Sequence, residues 1–184
     1  MQTLELSDTK LSTLPPLQGL TSLKTLNLAR STLTTLPSLE GLTALKILDL
    51  TNTKLTTVPL LQGLTALETL DLSGLKNMTT LPSLQGLIAL QTLSLHGSGI
   101  TVLPSLEGLT ALKSLYLAYT NLTTLPSLQG LTALESLDLS GLKITTLPSL
   151  QGLKALRSVS LPERLSNDPA VQELRQRGVF VELH

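Results

Sequence analysis

The chain has 184 residues, 13 basic and 13 acidic side chains, and no cysteine. The length suits one domain with a sizeable core, and the balanced charge gives no bulk attraction to nucleic acid or to an anionic membrane. Without cysteine there can be no disulfide cap, thiolate metal site or cysteine nucleophile, and the redox compartment is left open. The opening MQTLELSDTK contains no apolar signal segment, and no apolar run reaches the roughly 18 residues of a membrane span. A soluble globular protein is expected.

From Thr3 onward the chain repeats. Glycine precedes leucine at Gly19, Gly41, Gly63, Gly86, Gly108, Gly130 and Gly152, at intervals of 22 residues except for one of 23. Within the period that begins at Leu23, leucine returns at Leu26, Leu28, Leu33, Leu36, Leu39 and Leu42. Neither a heptad nor a helical period fits this spacing. The L-x-x-L-x-L core predicts a short strand in which Leu26 and Leu28 share one face. The proline of each Leu-Pro pair (Pro15, Pro37, Pro82, Pro104, Pro126, Pro148), or of Val58-Pro59 in the remaining repeat, then bends the chain without offering an N–H, and glycine closes a turn. No repeat can bury its own leucines. Stacking repeats at ~4.8 Å does so, and each buried leucine contributes roughly 1.5–3 kcal/mol before entropy is set against it.

The pattern L-x-x-L-x-L-x-x-(N/T)-x-L-x-x-L-P-x-L-x-G-L-x-x resembles the leucine-rich repeat family in its 22-residue, internalin-like and SDS22-like form, over residues 3 to 161. The resemblance implies an α/β solenoid, a right-handed superhelix with a parallel sheet on its concave face and short 3₁₀ or extended segments on its convex face. Family members usually carry asparagine at the ninth position, bonding adjacent turns. Here that column reads Thr9, Ser31, Thr53, Leu75, Ser98, Thr120 and Leu142. Hydroxyls can replace part of such a ladder, and Leu75 and Leu142 cannot. The one-residue insertion falls around Gly74–Met78, where a local bulge is expected.

Residues 1–161 read as the repeats and 162–184 as a capping segment of the same domain. In the latter, Asn167 or Asp168 caps a helix that starts at Pro169 and ends at Gly178, with Val171 and Leu174 inward. Val179 and Val181 alternate as a final strand, covering the last apolar layer as a solenoid requires. At the N-terminus two readings stand: Glu5, Asp8 and Lys10 solvate that end, or the chain is a fragment of a longer protein.

The residues between the strand leucines face out of the concave sheet. The central column is Glu5, Asn27, Asp49, Asp71, Ser94, Tyr116, Asp138 and Ser160. The column before it is Thr3, Thr25, Ile47, Thr69, Thr92, Ser114, Ser136 and Ser158. His96 and Ala118 follow the strands, and then come Arg30, Asn52 and Tyr119. Phe180 is the one other aromatic besides the two tyrosines. Tyr116 and Tyr119 are expected to be exposed, with His96 and Asp138 flanking them. Rigid and amphipathic, they suit partner anchoring, and the structural alternative is two scattered surface residues. The candidate partner-binding set is Tyr116, Tyr119, His96, Asp138, Asp71, Asp49, Ile47, Asn27 and Arg30.

The acidic column would favour a basic partner, yet Lys10, Arg30, Lys54, Lys76 and Lys143 lie near the rim, and solvated charge pairs are the expected explanation for it. Asp49 and Asp71, adjacent with no base between them, should form the most negative region. They imitate an acid–base dyad without a nucleophile, oxyanion hole or substrate pocket. With two histidines, one of them terminal, no metal site is expected, and no Walker, GxGxxG or GxSxG motif calls for a cofactor. Threonine pairs such as Thr34-Thr35 and Thr123-Thr124 resemble ice-binding arrays of other repeat proteins. They are also what β-branched residues on an extended backbone do without a ligand.

The function expected is therefore a non-catalytic, monomeric module that binds a protein partner through its concave face, without nucleic acid, membrane insertion or cofactor. The alternative is a purely structural spacer or consensus-like scaffold. Bacterial ubiquitin-ligase repeats share the L-x-x-L-P flavour, but their period differs and the cysteine their ligase domain needs is missing.

Overall fold

A computed structural model describes residues 1–184. Nine short strands form a single parallel sheet in sequence order. They are β1 (Thr3–Glu5), β2 (Thr25–Asn27), β3 (Ile47–Asp49), β4 (Thr69–Asp71), β5 (Thr92–Ser94), β6 (Ser114–Tyr116), β7 (Ser136–Asp138), β8 (Ser158–Leu161) and β9 (Phe180–Leu183). The register advances by one repeat per strand. Leu26, Leu48, Leu70, Leu93, Leu115 and Leu137 therefore form one row that continues into Val159. Every member of that row is buried, and its neighbours on the strand point outward.

The ladder persists beyond the strands, with Leu28 N–H donating to the Asp49 carbonyl at 2.9 Å and Arg30 N–H to that of Thr51 at 2.7 Å. On the convex side, successive turns join Leu42 N–H to Leu39 O and Leu45 N–H to Leu42 O, drawing three leucines inward. Gly41 allows this at φ +84°, where a side chain would strain the backbone. The convex side is thus turn and extended chain. The one 3₁₀ helix, Glu163–Leu165, and the one α-helix, α1 (Pro169–Gln176), both belong to the C-terminal segment. A single cluster of 49 buried apolar residues runs through all the repeats, so no repeat has a core of its own.

The insertion is absorbed in a turn and leaves the sheet untouched. Lys76 N–H donates to Gly74 O and Met78 N–H to Leu75 O, Leu75 and Met78 both stay buried, and β4 and β5 remain in register. The following repeat accommodates the bulge with Gly99, because a Cβ there would collide with the Lys76 carbonyl.

The expected hydroxyl ladder between repeats does not form. Thr9, Thr53 and Thr120 donate Oγ1–H to the carbonyls of Leu6, Leu50 and Leu117 in their own repeats. Ser31 and Ser98 are buried without a partner. Backbone groups make the links between repeats, such as Lys54 N–H to Leu33 O and Asn121 N–H to Ile100 O. Threonine hydroxyls reach the neighbouring repeat only from other positions, Thr32 Oγ1–H to Leu11 O and Thr101 Oγ1–H to Thr79 O. In this column they turn back onto their own repeat, and Leu75 and Leu142 join the core.

Asp168 caps α1 by accepting from Ala170 N–H at 2.9 Å, and Val171 and Leu174 are buried. Gly178, at φ +78°, turns the chain into β9, which pairs with β8. Arg177 adds a tie that sequence patterns do not reveal, donating to the carbonyls of Leu150 (3.2 Å) and Leu153 (2.5 Å) in the last repeat.

Candidate recognition surface

The central column ends each of the strands β1 to β7, and its aspartates are held by their own backbone. Asp49 Oδ1 accepts from Thr51 N–H at 2.9 Å, and Asn27 Oδ1 from Ala29 N–H at 3.0 Å. Asp71 Oδ1 accepts from the N–H (2.9 Å) and hydroxyl (2.5 Å) of Ser73, and Asp138 Oδ1 from those of Ser140 (3.0 and 2.7 Å). These are Asx turns, in which a short polar side chain satisfies the N–H two residues on as the chain leaves the sheet. The expected charge pairs with Lys10, Lys54, Lys76 and Lys143 do not form. The ion pairs present are Arg30–Asp8, Lys46–Glu68, Arg157–Glu135 and His184–Glu182, and none reaches Asp49, Asp71 or Asp138.

Three residues beyond each of the first seven central positions the backbone turns left-handed. Asp8 (φ 56°), Arg30 (54°), Asn52 (55°) and Tyr119 (57°) share this column with Gly74, Gly97 and Gly141. A residue with a Cβ gives up about 1–2 kcal/mol in that conformation. Glycine, asparagine and aspartate tolerate it, and those types at five of the seven positions were the available sequence signal. Arg30 and Tyr119 are the two exceptions; Arg30 is tied to Asp8, whereas Tyr119 is a bulky aromatic that remains 60% exposed. Its ring lies against Gly141, where an added Cβ would come within 2.5 Å of ring carbon Cδ1. It also meets His96 edge-on, with centroids 5.5 Å apart and an interplanar angle of 74°, a favoured aromatic arrangement.

Tyr116 is half-buried and stands in register between Ser94 on β5 and Asp138 on β7. The C-terminal half of the sheet thus brings together His96, Tyr116, Tyr119 and Asp138. A second group, Asn27, Asp49 and Asp71, runs along β2 to β4, with Ile47 exposed beside Thr25 and Thr69. Arg30 is engaged at the N-terminal rim, donating Nε–H and Nη2–H to the two oxygens of Asp8 at 2.7 and 2.6 Å. That fork holds the Asp8 carboxyl below its ordinary pKa and raises that of Arg30. Glu5 is also lowered, chiefly by the Ser7 hydroxyl beside it.

Ala118, expected on this face, is fully buried, because the chain curls inward after Leu117. Phe180 was missed. It pairs with Ser158, extends the threonine-serine column, and is 66% exposed. Larger surface notches lie between successive turns at the Gly-Leu edge, with walls such as Ser105, Glu107, Ser127 and Gln129. The convex threonine array is interrupted by Val102, itself 66% exposed.

Residues 88–144 match the family described as Leucine rich repeat, and residues 1–41 and 43–86 match Leucine Rich repeats in two copies. The chain belongs to the leucine-rich repeat family. Proteins with such repeats are typically non-catalytic and generally mediate protein–protein interaction. The chain is similar over its full length to a Shigella effector leucine-rich repeat domain, at 26% identity and TM-score 0.75, covering 81% of that structure. Over 90% of its length it resembles a leucine-rich repeat protein of Leptospira interrogans, at 30% identity and TM-score 0.65, covering 50% of it. The functional domain of InlJ from Listeria monocytogenes shares the fold, at 21% identity and TM-score 0.73 over the whole chain, which spans 44% of that structure. That domain includes a cysteine ladder, a feature this cysteine-free repeat chain does not share. A search of curated proteins finds no match. No helix of the chain is long and apolar enough to cross a membrane.

Proposed function

We propose that this chain is a non-catalytic recognition module that binds a protein partner through the concave sheet, with Tyr116 and Tyr119 as anchors and His96 and Asp138 beside them. One observation carries the reading. Tyr119 occupies a left-handed position that neighbouring repeats fill with Gly97 and Gly141, yet most of its ring faces solvent. Stability alone favours glycine there, and strain held at an exposed aromatic points to a role outside the fold. Tyrosine delivers a large contact area with few rotatable bonds. The second group, from Asn27 to Asp71 with Ile47, extends the same face toward the N-terminus.

The test is affinity for a captured partner, wild type against a chain carrying Tyr116→Ala and Tyr119→Ala. A loss of ~2 kcal/mol or more is expected of a hot spot. Unchanged affinity would move the contact elsewhere, first to Asp49 and Asp71. A chain that captures no partner under any condition would favour the spacer role.

A further inference from the structure

The two outward columns of the sheet, from Thr3 to Phe180 and from Glu5 to Glu182, contain no lysine or arginine. Every charge in them is negative, although the whole chain is neutral. Asp49, Asp71 and Asp138 each commit Oδ1 to a turn, leaving Oδ2 for a ligand. Only one of these carboxylates has an aromatic neighbour in its column. Tyr116 and Asp138 are cross-strand partners, which sets their backbones about 4.8 Å apart. His96, in the preceding repeat, and Tyr119, in the repeat of Tyr116 itself, stand edge to face just beyond the strand ends.

We infer that this cluster takes a cationic side chain, an arginine or lysine presented by the protein partner, with the cation over the Tyr116 ring and the Asp138 carboxylate as its counter-ion. The inference rests on the concave-face reading above. A ring face and a carboxylate one strand apart supply the two terms a desolvated cation needs, quadrupole attraction and a charge-assisted hydrogen bond. An anionic group would meet only like charge in these two columns, and a purely apolar one would leave Asp138 unpaired. At Asp49 and Asp71 the negative charge is present, but no ring is there to strip water from the cation.

The test is a two-dimensional NMR titration of the whole chain with Nα-acetyl-L-argininamide, using Nα-acetyl-L-glutamamide as control. Shifts confined to β5, β6 and β7 are expected with the arginine probe only. Tyr116→Phe keeps the ring face and should retain binding within about twofold, whereas Tyr116→Ala should weaken it about fivefold or more. Asp138→Asn keeps the Asx turn, as Asn27 does in its own repeat, so it removes charge without disturbing the fold, and it too should weaken binding. Shifts spread evenly over Asp49, Asp71 and Asp138, equal shifts with both probes, or no shifts at all would overturn the inference. A partner that loses affinity on tyrosine replacement but is indifferent to Asp138→Asn would sink the cationic anchor and leave the recognition face standing. Indifference to both would sink the cationic anchor and the tyrosine cluster alike, and move the contact first to Asp49 and Asp71.

Discussion

Replacing Tyr119 by alanine and by glycine separates what its ring does from what its backbone does. Both variants lose the edge contact with His96 and the packing against Gly141. For a ring 60% exposed, that loss falls at the low end of the roughly 0.5–1.5 kcal/mol of an aromatic pair. Alanine retains the left-handed strain, whereas glycine releases about 1–2 kcal/mol of it. Glycine's greater freedom in the unfolded chain offsets about 0.5–1 kcal/mol of that gain. The glycine variant should therefore be the more stable of the two by about 0.5–1 kcal/mol, or roughly 1–4 °C in Tm for a chain of this size. The ordinary order in strands and helices is the reverse. Urea and thermal unfolding followed by circular dichroism measure the difference directly. If the alanine variant equals or exceeds the glycine variant, the backbone at 119 is not left-handed, and the strain argument for a functional tyrosine fails.

Leu174→Asp should open the last apolar layer, since burying an unpaired carboxylate costs several kcal/mol. Hydrogen exchange should then rise first in β8 and β9, and unchanged or uniformly raised exchange would show that the cap does not hold that end. Ser98→Thr should stabilise by up to about 1 kcal/mol in urea melts, because threonine in this column bonds the carbonyl three residues back, as Thr53 and Thr120 do; no gain would mean that the hydroxyl is already satisfied. The Asp8 carboxyl, lowered by Arg30, contributes stability above its ordinary pKa and loses it as pH falls below about 4. Arg30→Gln should return its titration, followed by carboxyl NMR, to the ordinary range, and an unmoved midpoint would assign the shift to another group.

The strand row from Leu26 to Leu137 was legible because side-chain alternation needs only local spacing, and the 22-residue period repeats it without drift. Tyr116 was legible for the same reason, as a residue between two inward leucines. The surroundings of the acidic column were not. Whether Asp71 answers a lysine on the rim or the N–H of Ser73 depends on how the chain leaves the sheet, and alternation says nothing about residues after the strand ends. Ala118 was misplaced for that reason: Leu117 and Ala118 both turn inward where the pleat stops. The left-handed column was readable in principle, since Gly74, Gly97 and Gly141 stand in line with Asp8 and Asn52. Reading it would have marked Tyr119 as strained. Phe180 could also have been placed, because an inward Val179 and Val181 leave it only the outer face. The bulge at Gly74–Met78 was located from the period alone, but its accommodation by Gly99 depends on contact between repeats.

The concave face as recognition surface is tested most directly by a photo-reactive benzoylphenylalanine placed at Tyr116 in one chain and at Thr124, exposed on the convex edge, in another. Both are irradiated with the same captured partner. Covalent capture from position 116 and none from position 124 is the expected result, whereas capture from 124 alone, or equally from both, would contradict the account.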